Sequence, residues 1–526
     1  MSQIVYRGNL SAKALPLLTD FQGRTVIIPG PDNTFNRSLV STEDLDRDVG
    51  VPIAYYGHNV MPTSYGFQSV GYENLIPEVV SATQFESIEL IRTNKIAGNN
   101  GPRVYFSQLS IDSNNYTLAL GSSTWGLSST PIVFPSGTKL SFATVQGITY
   151  IYYSNLGCYK FDTTTNSLIP VTLTSLDPAK ILGITTYQGY LIAYDTSTVY
   201  WSSTLDIDYT TNSVDFTPSL ATGASSLTLE GARGDITFII PATFGIACYT
   251  TSNIVSGVYS GNSRYPFNFR EIIASGGCTS SDLVAYDSNT GNQYAYTTSG
   301  VQTLTATATQ TIFPEVTDFL AGQLFEDFDE PTLTFTETVL TVPMQKKLVS
   351  IADRYLVFSY GRTSLTHAIV YDMAQKRYGK LKIDHTDCFE YEYLDPGLAD
   401  SPRKSIAFLL STGEIKIANL SESFAASSGV ILLGKFQYVR SRATTLEELI
   451  IQNVRSNQGV SVYDFYSTTG GTLASTTRVQ GIDVSSGTSE QRRYRFHKTG
   501  MNHSIMLVGG FSLASFVLAF HVNGNR

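Results

Sequence analysis

GITYIYYSNLGCYKFD, residues 147–162, decides the fold. A run of apolar and aromatic residues meets a short Asn-Leu-Gly turn, then a second run, and closes on an Asp. β-branched and aromatic side chains suit a pleated surface, so the unit reads as two strands and a turn. Working outward, the same unit returns at 188–203 (QGYLIAYDTSTVYWSS), 235–249 (DITFIIPATFGIACY) and 282–302 (DLVAYDSNTGNQYAYTTSGVQ). It recurs at 353–382 and 404–420, and 103–120 starts the series. Counted from Arg103, Gly147, Gly189, Asp235, Asp282, Asp353 and Lys404, the intervals are 44, 42, 46, 47, 71 and 51 residues. Several short strands repeated about every 40–50 residues are the mark of propeller blades. The expected fold is all-β: a β-propeller of about six to seven blades over 81–428, flanked by two other segments.

The long interval places an insertion near 313–347. Within it, Val316, Phe319, Leu320 and Leu324 stand at helical spacing, so 315–325 is expected to form a short amphipathic helix. An acidic loop follows, with Glu326, Asp327, Asp329 and Glu330, and then a hairpin over 331–344. Insertions in repeat folds project from one face, often the one that meets partners. Before the repeats, 98–101 (GNNG) supplies a hairpin turn between the opening strands. Residues 1–80 carry a short strand halted by Pro-Gly-Pro (23–31), an acidic run at 43–48 and an extended aromatic stretch at 51–72. This part is expected to be an N-terminal arm or platform, packed on the propeller or on a neighbouring subunit. Residues 429–526 show no blade repeat. Their short strands and Gly/Ser/Thr turns fit a small C-terminal β-sandwich.

At 526 residues the chain can bury a large core. Formal charge is −9 and unevenly spread. Residues 81–420 hold 20 Lys/Arg against 30 Asp/Glu, a balance of −10, while 421–526 hold 10 against 6, a balance of +4. An acidic middle disfavours gripping nucleic acid, whose binding rests on neutralising phosphates. Cys158, Cys248, Cys278 and Cys388 are far apart and read as reduced core residues rather than a zinc site or a disulfide framework. The first residues lack the apolar core of a signal peptide, and 504–520 is too interrupted for a clean membrane span. The chain is therefore expected to be made in a cytoplasm.

Candidate chemistry is thin. His385, Asp387 and Cys388 are the densest potential ligands; on one strand His385 and Asp387 would share a face, with Cys388 opposite. No second His lies near, and a strand with a polar face is the simpler reading. Asp287, Asn289 and Gly291 imitate the start of a calcium loop, but Thr298 stands where the closing Glu belongs. The pairs Asp206/Asp208 and Asp327/Asp329 do not by spacing alone make a glycosidase. Trp125 and Trp201 read as packing between blades. The basic cluster Arg492, Arg493, Arg495, His497 and Lys498 alternates with Tyr494 and Phe496. On a strand it would set Arg493, Arg495 and His497 on one face, free in solvent or meeting an acidic neighbouring subunit. No enzyme, cofactor or metal is expected.

Several stretches resemble virion proteins of short-tailed bacteriophages: GRTVIIPGP (23–31), FNR (35–37), STED (41–44), AYYGHNVMP (54–62), GYLIAY (189–194) and VDFTPSLATGA (214–224). RYPFNFREI (264–272), FPEVTDFLAG (313–322), DRYLVFSYG (353–361) and FSLASFVLAFHVNGNR (511–526) are similar too. The resemblance covers nearly the whole chain and carries no active-site motif. It implies a tail nozzle, or head-completion β-propeller: a hexameric ring below portal and adaptor proteins. Such a ring extends the DNA channel, retains packaged DNA without reading its sequence, and carries fibres or distal tail parts. It implies a virion tail location after assembly in the host cytoplasm. On that reading Glu326, Asp327, Asp329 and Glu330 face the channel, and Arg492, Arg493, Arg495 and Lys498 contact a neighbouring subunit. Two other classes stay open: a receptor- or carbohydrate-binding propeller, and a hydrolase with its site in the central pocket.

Overall fold

The computed structural model describes residues 3–9, 25–28, 39–40, 54–62, 67–76, 85–92, 103–109, 115–119, 126–127, 140–154, 156–162, 167–203, 212–262, 265–287, 291–321, 324–329, 334–339, 345–351, 354–374, 376–393, 403–411, 414–419, 429–438, 443–452, 460–467, 475–479, 491–513 and 515–522. Among these, seven sheets follow one another as blades of a β-propeller. Their first strands are Phe85–Arg92, Leu140–Val145, Gly183–Tyr187, Ile236–Ala242, Val284–Tyr286, Gln345–Ile351 and Asp387–Tyr393. In the first six blades, four strands pair antiparallel in chain order; the chain leaves blade 3 once, where Ser213–Asp215 pairs parallel with the last strand of blade 2 before Ser225–Thr228 completes blade 3. The first blade begins at Phe85, one strand earlier than the repeat count from Arg103; Arg103–Leu109 is its second strand.

Local sequence explains the meanders. Gln146 and Gly147 have φ of 48° and 87°, and Gln188 and Gly189 have 49° and 84°. Two successive left-handed residues make the tight turn whose twist matches a hairpin, which fixes the pairs Val145↔Ile148 and Tyr187↔Tyr190. The second strands of blades 3 and 4, Tyr190–Tyr194 and Gly245–Thr250, are buried along their whole length. Each blade lies between two others, so both faces of its middle are covered and the apolar run is continuous rather than alternating. One apolar cluster joins blades 2 and 3, another blades 3 to 5, and two more blades 5 to 6 and 6 to 7. The first strand of blade 7 lies against that of blade 1.

The insertion lies between blades 5 and 6. Its helix is Pro314–Ala321, with Val316 and Leu320 buried against Leu356 and Phe358 of blade 6. It ends before the expected limit, because Leu324 already belongs to a strand. The acidic run is not a loop. Leu324–Asp329 pairs antiparallel with Thr334–Val339, setting Glu326 opposite Glu337, Asp327 opposite Thr336, Phe328 opposite Phe335 and Asp329 opposite Thr334. The hairpin is thus built from the acidic stretch itself, and Glu330 falls outside the described residues.

The strands of 1–80 do not form a unit of their own. Gln3–Asn9 pairs antiparallel with Ser515–Val522, and Thr25–Ile28 and Ala54–His58 both pair with Gly429–Tyr438. These complete a C-terminal sandwich of two sheets, one ordered 39–40, 3–9, 515–522, 444–452, 491–500 and the other centred on 429–438, 502–509 and 460–467. Its core holds Leu433, Phe436, Leu449, Tyr494, Phe496, Leu507, Phe516 and Phe520. Next in the chain, Val60–Pro62 and Phe67–Ser69 extend blade 6, and Gly71–Ile76 becomes the outer strand of blade 7. Blade 7 is therefore closed by the N-terminal part of the chain.

Asn59 pins this crossing. Its φ of 50° is one that Asn tolerates better than most residues. Its side-chain oxygen accepts hydrogen bonds from the Lys382 backbone at 2.7 Å and the Tyr72 hydroxyl at 3.2 Å, and its carbonyl accepts from Val70 at 2.9 Å. Nearby, Ser69 Oγ accepts from Phe511 N at 2.8 Å. A Cβ on Gly379 would stand 2.6 Å from the Val60 carbonyl, so this close approach requires glycine.

Candidate functional site

The basic cluster lies on strand Gln491–Gly500, which among the described strands has a sheet neighbour on one side only. Alternation holds as read: Tyr494 and Phe496 enter the sandwich core, while Arg493, Arg495 and His497 are exposed. Lys498 falls on the Tyr494/Phe496 side and is half-buried; Arg492 shares the strand. Glu448 stands opposite Arg495 in register, and its carboxylate lies 3.9 Å from the Arg493 guanidinium. A pair this open to solvent contributes about 0–1 kcal/mol. The strand thus offers an edge whose outward face carries two guanidiniums.

The candidate ligands do not converge. His385 ends strand Arg377–His385 in blade 6, whereas Asp387 opens the first strand of blade 7. The chain turns between them at Thr386, so the shared face expected of one strand does not exist. His385 Nδ1 faces the Ile383 carbonyl at 2.7 Å and donates to it, leaving Nε2 to accept from Ser359 Oγ at 3.0 Å. Burial pushes the imidazole down to about 4, which keeps it neutral. The pair has the atoms of a nucleophile and its base, but Ser359 and His385 are both sealed inside the blade. Its geometry ties the second strand of blade 6 to the end of the fourth.

Asp387 is buried and forms an ion pair with Lys347, whose Nζ also lies 3.8 Å from exposed Asp282. Lys347, on the first strand of blade 6, therefore clasps the first strand of blade 7 and the turn that leads into blade 5. Beside it, Lys346 Nζ lies 4.5 Å from the Tyr296 ring centroid and 3.3 Å from its hydroxyl, and burial lowers its affinity for the proton. A second buried pair sits in the sandwich. His503 Nδ1 is 3.3 Å from both carboxylate oxygens of Asp464, and Nε2 is 3.1 Å from the Thr444 carbonyl. Since Thr444 belongs to the opposite sheet, this ring bridges the two layers.

The four cysteines are buried and free. Burial pushes the Cys278 thiol up to about 11 and Cys388 to about 12, and raises Cys158 and Cys248 as well, so all four are poor nucleophiles. Asp287 accepts a backbone hydrogen bond from Gly291 at 2.7 Å, a turn contact; Asn289 lies outside the described residues. Among the described residues, no three His, Cys, Asp or Glu side chains gather as a metal site. Trp201 packs between blades as expected, edge-on to Phe267 of blade 4 with its indole N–H on the Gly223 carbonyl at 3.0 Å. Asp206, Asp208 and Trp125 lie outside the described residues.

One feature escaped the repeat reading. Phe267 is the hub of an aromatic cluster across blades 3 and 4. Its ring lies 6.0 Å from Tyr259, 6.2 Å each from Tyr187, Tyr190 and Phe269, and 6.1 Å from Trp201. Tyr187 and Tyr259 are half-buried and 5.6 Å apart; Tyr265 (56%) and Tyr286 (39%) are exposed. The available signal was the pair of tyrosines flanking Gln188-Gly189, together with the aromatic run at 265–269.

No family model and no curated protein matches the sequence. Among solved structures, the chain is similar to the extracellular domain of a hybrid two-component system from B. thetaiotaomicron (12% identity, TM-score 0.37), covering 66% of this chain and 42% of that one. It is also similar to YCF48 from Cyanidioschyzon merolae (9%, TM-score 0.37, covering 66% and 98%) and to the WD40 β-propeller domain of Doa1 (8%, TM-score 0.35, covering 67% and 98%). The chain thus spans less than half of the first of these and nearly all of the other two. The propeller assignment itself rests on the strand order. No helix among the described residues is long and apolar enough to cross a membrane.

Proposed function

We propose that this chain is a structural virion protein, the tail nozzle of a short-tailed bacteriophage. It works without catalysis, as one of six subunits in a ring that continues the DNA channel below portal and adaptor proteins. The observation that carries the reading is the lacing of propeller and sandwich by the strands Ala54–His58, Val60–Pro62, Phe67–Ser69 and Gly71–Ile76, which join the sandwich, blade 6 and blade 7 in turn. Tension between the two parts falls on paired strands rather than on a linker. That suits a component held against packaged DNA. The resemblance of ten separate stretches to virion proteins supports the same role.

A ring needs head-to-tail contacts that close on themselves. The edge strand Gln491–Gly500, with exposed Arg493 and Arg495, suits one side of that contact. The −10 balance of residues 81–420 suits the other. Like charge along the channel lets DNA pass without adhesion, and the hairpin bearing Glu326, Asp327 and Asp329 is the part assigned to that lining.

The experiment is complementation. Particles of the encoding phage made without this protein should fill their heads and then lose DNA, and the purified chain should restore retention. Particles that hold and eject DNA normally without it would overturn the proposal. In restored particles, Asp327→Lys with Asp329→Lys should slow ejection; an unchanged rate removes the hairpin from the channel.

A further inference from the structure

We infer that one face of blades 3 to 5 is a binding site for a neutral oligosaccharide, centred on Tyr187, Tyr259 and Tyr286. Topology puts these side chains at one end of the propeller. Tyr187 ends the first strand of blade 3, Tyr286 ends the first strand of blade 5, and Tyr259 ends the third strand of blade 4 between them. In successive antiparallel meanders those three strand ends point the same way. Exposed Tyr265, two residues before strand Phe267–Glu271, lies at the same end. Burial, and then the nearby Tyr187 and Asp287, raise the Tyr286 hydroxyl's hold on its proton, so blades 3 and 5 approach each other across blade 4.

The platform is held rigid from below. Tyr187 and Tyr190 are paired across a two-residue turn, Tyr187 donates its hydroxyl to the Thr243 carbonyl at 3.4 Å, and Phe267 backs the cluster. Fixed rings lose little freedom when a ligand arrives. Half-buried rings offer flat apolar faces, and their hydroxyls offer hydrogen bonds at the rim. A sugar ring presents the complementary pair, a patch of C–H groups and a rim of hydroxyls.

The surroundings narrow the ligand further. Described residues in these turns are Gln188, Gly189, Thr243, Phe244, Ser260, Gly261, Asn262, Gly291 and Asn292, all uncharged, together with one carboxylate, Asp287, buried beside Tyr286. Among the described residues of these turns there is no Lys or Arg to neutralise phosphates, and stacking alone does not hold a nucleic acid. Nor does such a surface favour an acidic glycan. Amide and hydroxyl side chains beside tyrosines match neutral sugars. The site does not depend on the nozzle reading, and its failure would leave that reading standing.

The test is saturation-transfer NMR and calorimetry on the full chain with maltoheptaose, cellohexaose, xylohexaose and chitohexaose, with decaproline and a heparin hexasaccharide as controls. At least one neutral oligosaccharide should bind, with saturation on its ring protons, and neither control should. Tyr286→Ala, at an exposed position, should keep the wild-type melting curve and weaken binding about tenfold, the loss of one stacked ring. Tyr187→Phe should keep most of the affinity, because the stacking face remains. The inference is overturned if no neutral oligosaccharide binds, if Tyr286→Ala binds as well as wild type, or if decaproline binds instead.

Discussion

Blades 2 to 5 and the C-terminal sandwich are both mainly antiparallel β-structure, yet the chain builds them in opposite ways. In the blades, nearly every strand pairs with the strand just before or after it. In the sandwich, Val5 pairs with Ala519 and Val26 with Phe436, so its sheets wait for both ends of the chain. Local pairing closes short loops and forms early; distant pairing must first overcome the closure entropy of the whole propeller. The blades can therefore assemble as soon as their own strands exist. The sandwich and blade 7 complete the molecule by tying its ends together.

Removing the lacing should separate the two regions most strongly. A chain lacking residues 1–76 loses strands from both sandwich sheets and the outer strand of blade 7. It should fail to give a soluble monomer, whereas removing the insertion hairpin 324–339 should leave a cooperatively folded protein. Size-exclusion chromatography and thermal circular dichroism would separate the two results. If the truncated chain melts like the parent, the N-terminal strands are ornaments.

A single buried charge gives the next largest effect. Asp464→Ala leaves His503 facing a carbonyl and an empty site between the sandwich layers. Losing one member of a buried pair costs about 3–5 kcal/mol. Denaturant unfolding, followed by hydrogen exchange, should show the loss in 429–522 with blades 2 to 5 unchanged. Equal weakening of both regions would mean that they unfold as one unit.

Acid should strike the propeller instead. His385 is neutral and buried, and its folded value of about 4 lies below the ordinary 6.5. Between those values the unfolded chain binds the proton and the folded chain does not. Stability is therefore complete above pH 6.5 and falls as the pH drops towards 4, by roughly 3 kcal/mol. His385→Gln should flatten that slope in a pH series of denaturation midpoints; an unchanged slope would assign it to other groups. At the small end, Arg493→Ala should move stability by no more than about 0.5 kcal/mol. High salt should nonetheless loosen a ring that uses that edge, and a salt-insensitive ring would point to an apolar contact.

The contrast also explains what could be read from sequence. Blade repeats are local, so 147–162 and 188–203 announce themselves by apolar runs around short turns, and the Val316/Leu320 spacing marks the helix. The repeat origin drifted because second strands, such as Tyr190–Tyr194, are more apolar than first strands and dominate the pattern. Nothing in Gln3–Asn9 says that Ser515–Val522 is its partner, since register there is set by burial and not by a turn. The acidic stretch reads as a loop because Asp and Glu have low strand preference; pairing with 334–339 overrides it. Among candidate site residues, alternation within 493–497 was legible because it stays on one strand. His385 and Asp387 misled because a turn between blades falls inside a three-residue window. The aromatic face was hidden for the opposite reason: its rings come from three blades.

A nozzle role requires a closed ring of subunits. Native mass determination of the purified chain, beside negative-stain images with and without the portal–adaptor complex, tests it most directly. Six copies around an axial channel, alone or on docking to that complex, is the predicted result. A monomer that stays a monomer in the presence of the complex would contradict it.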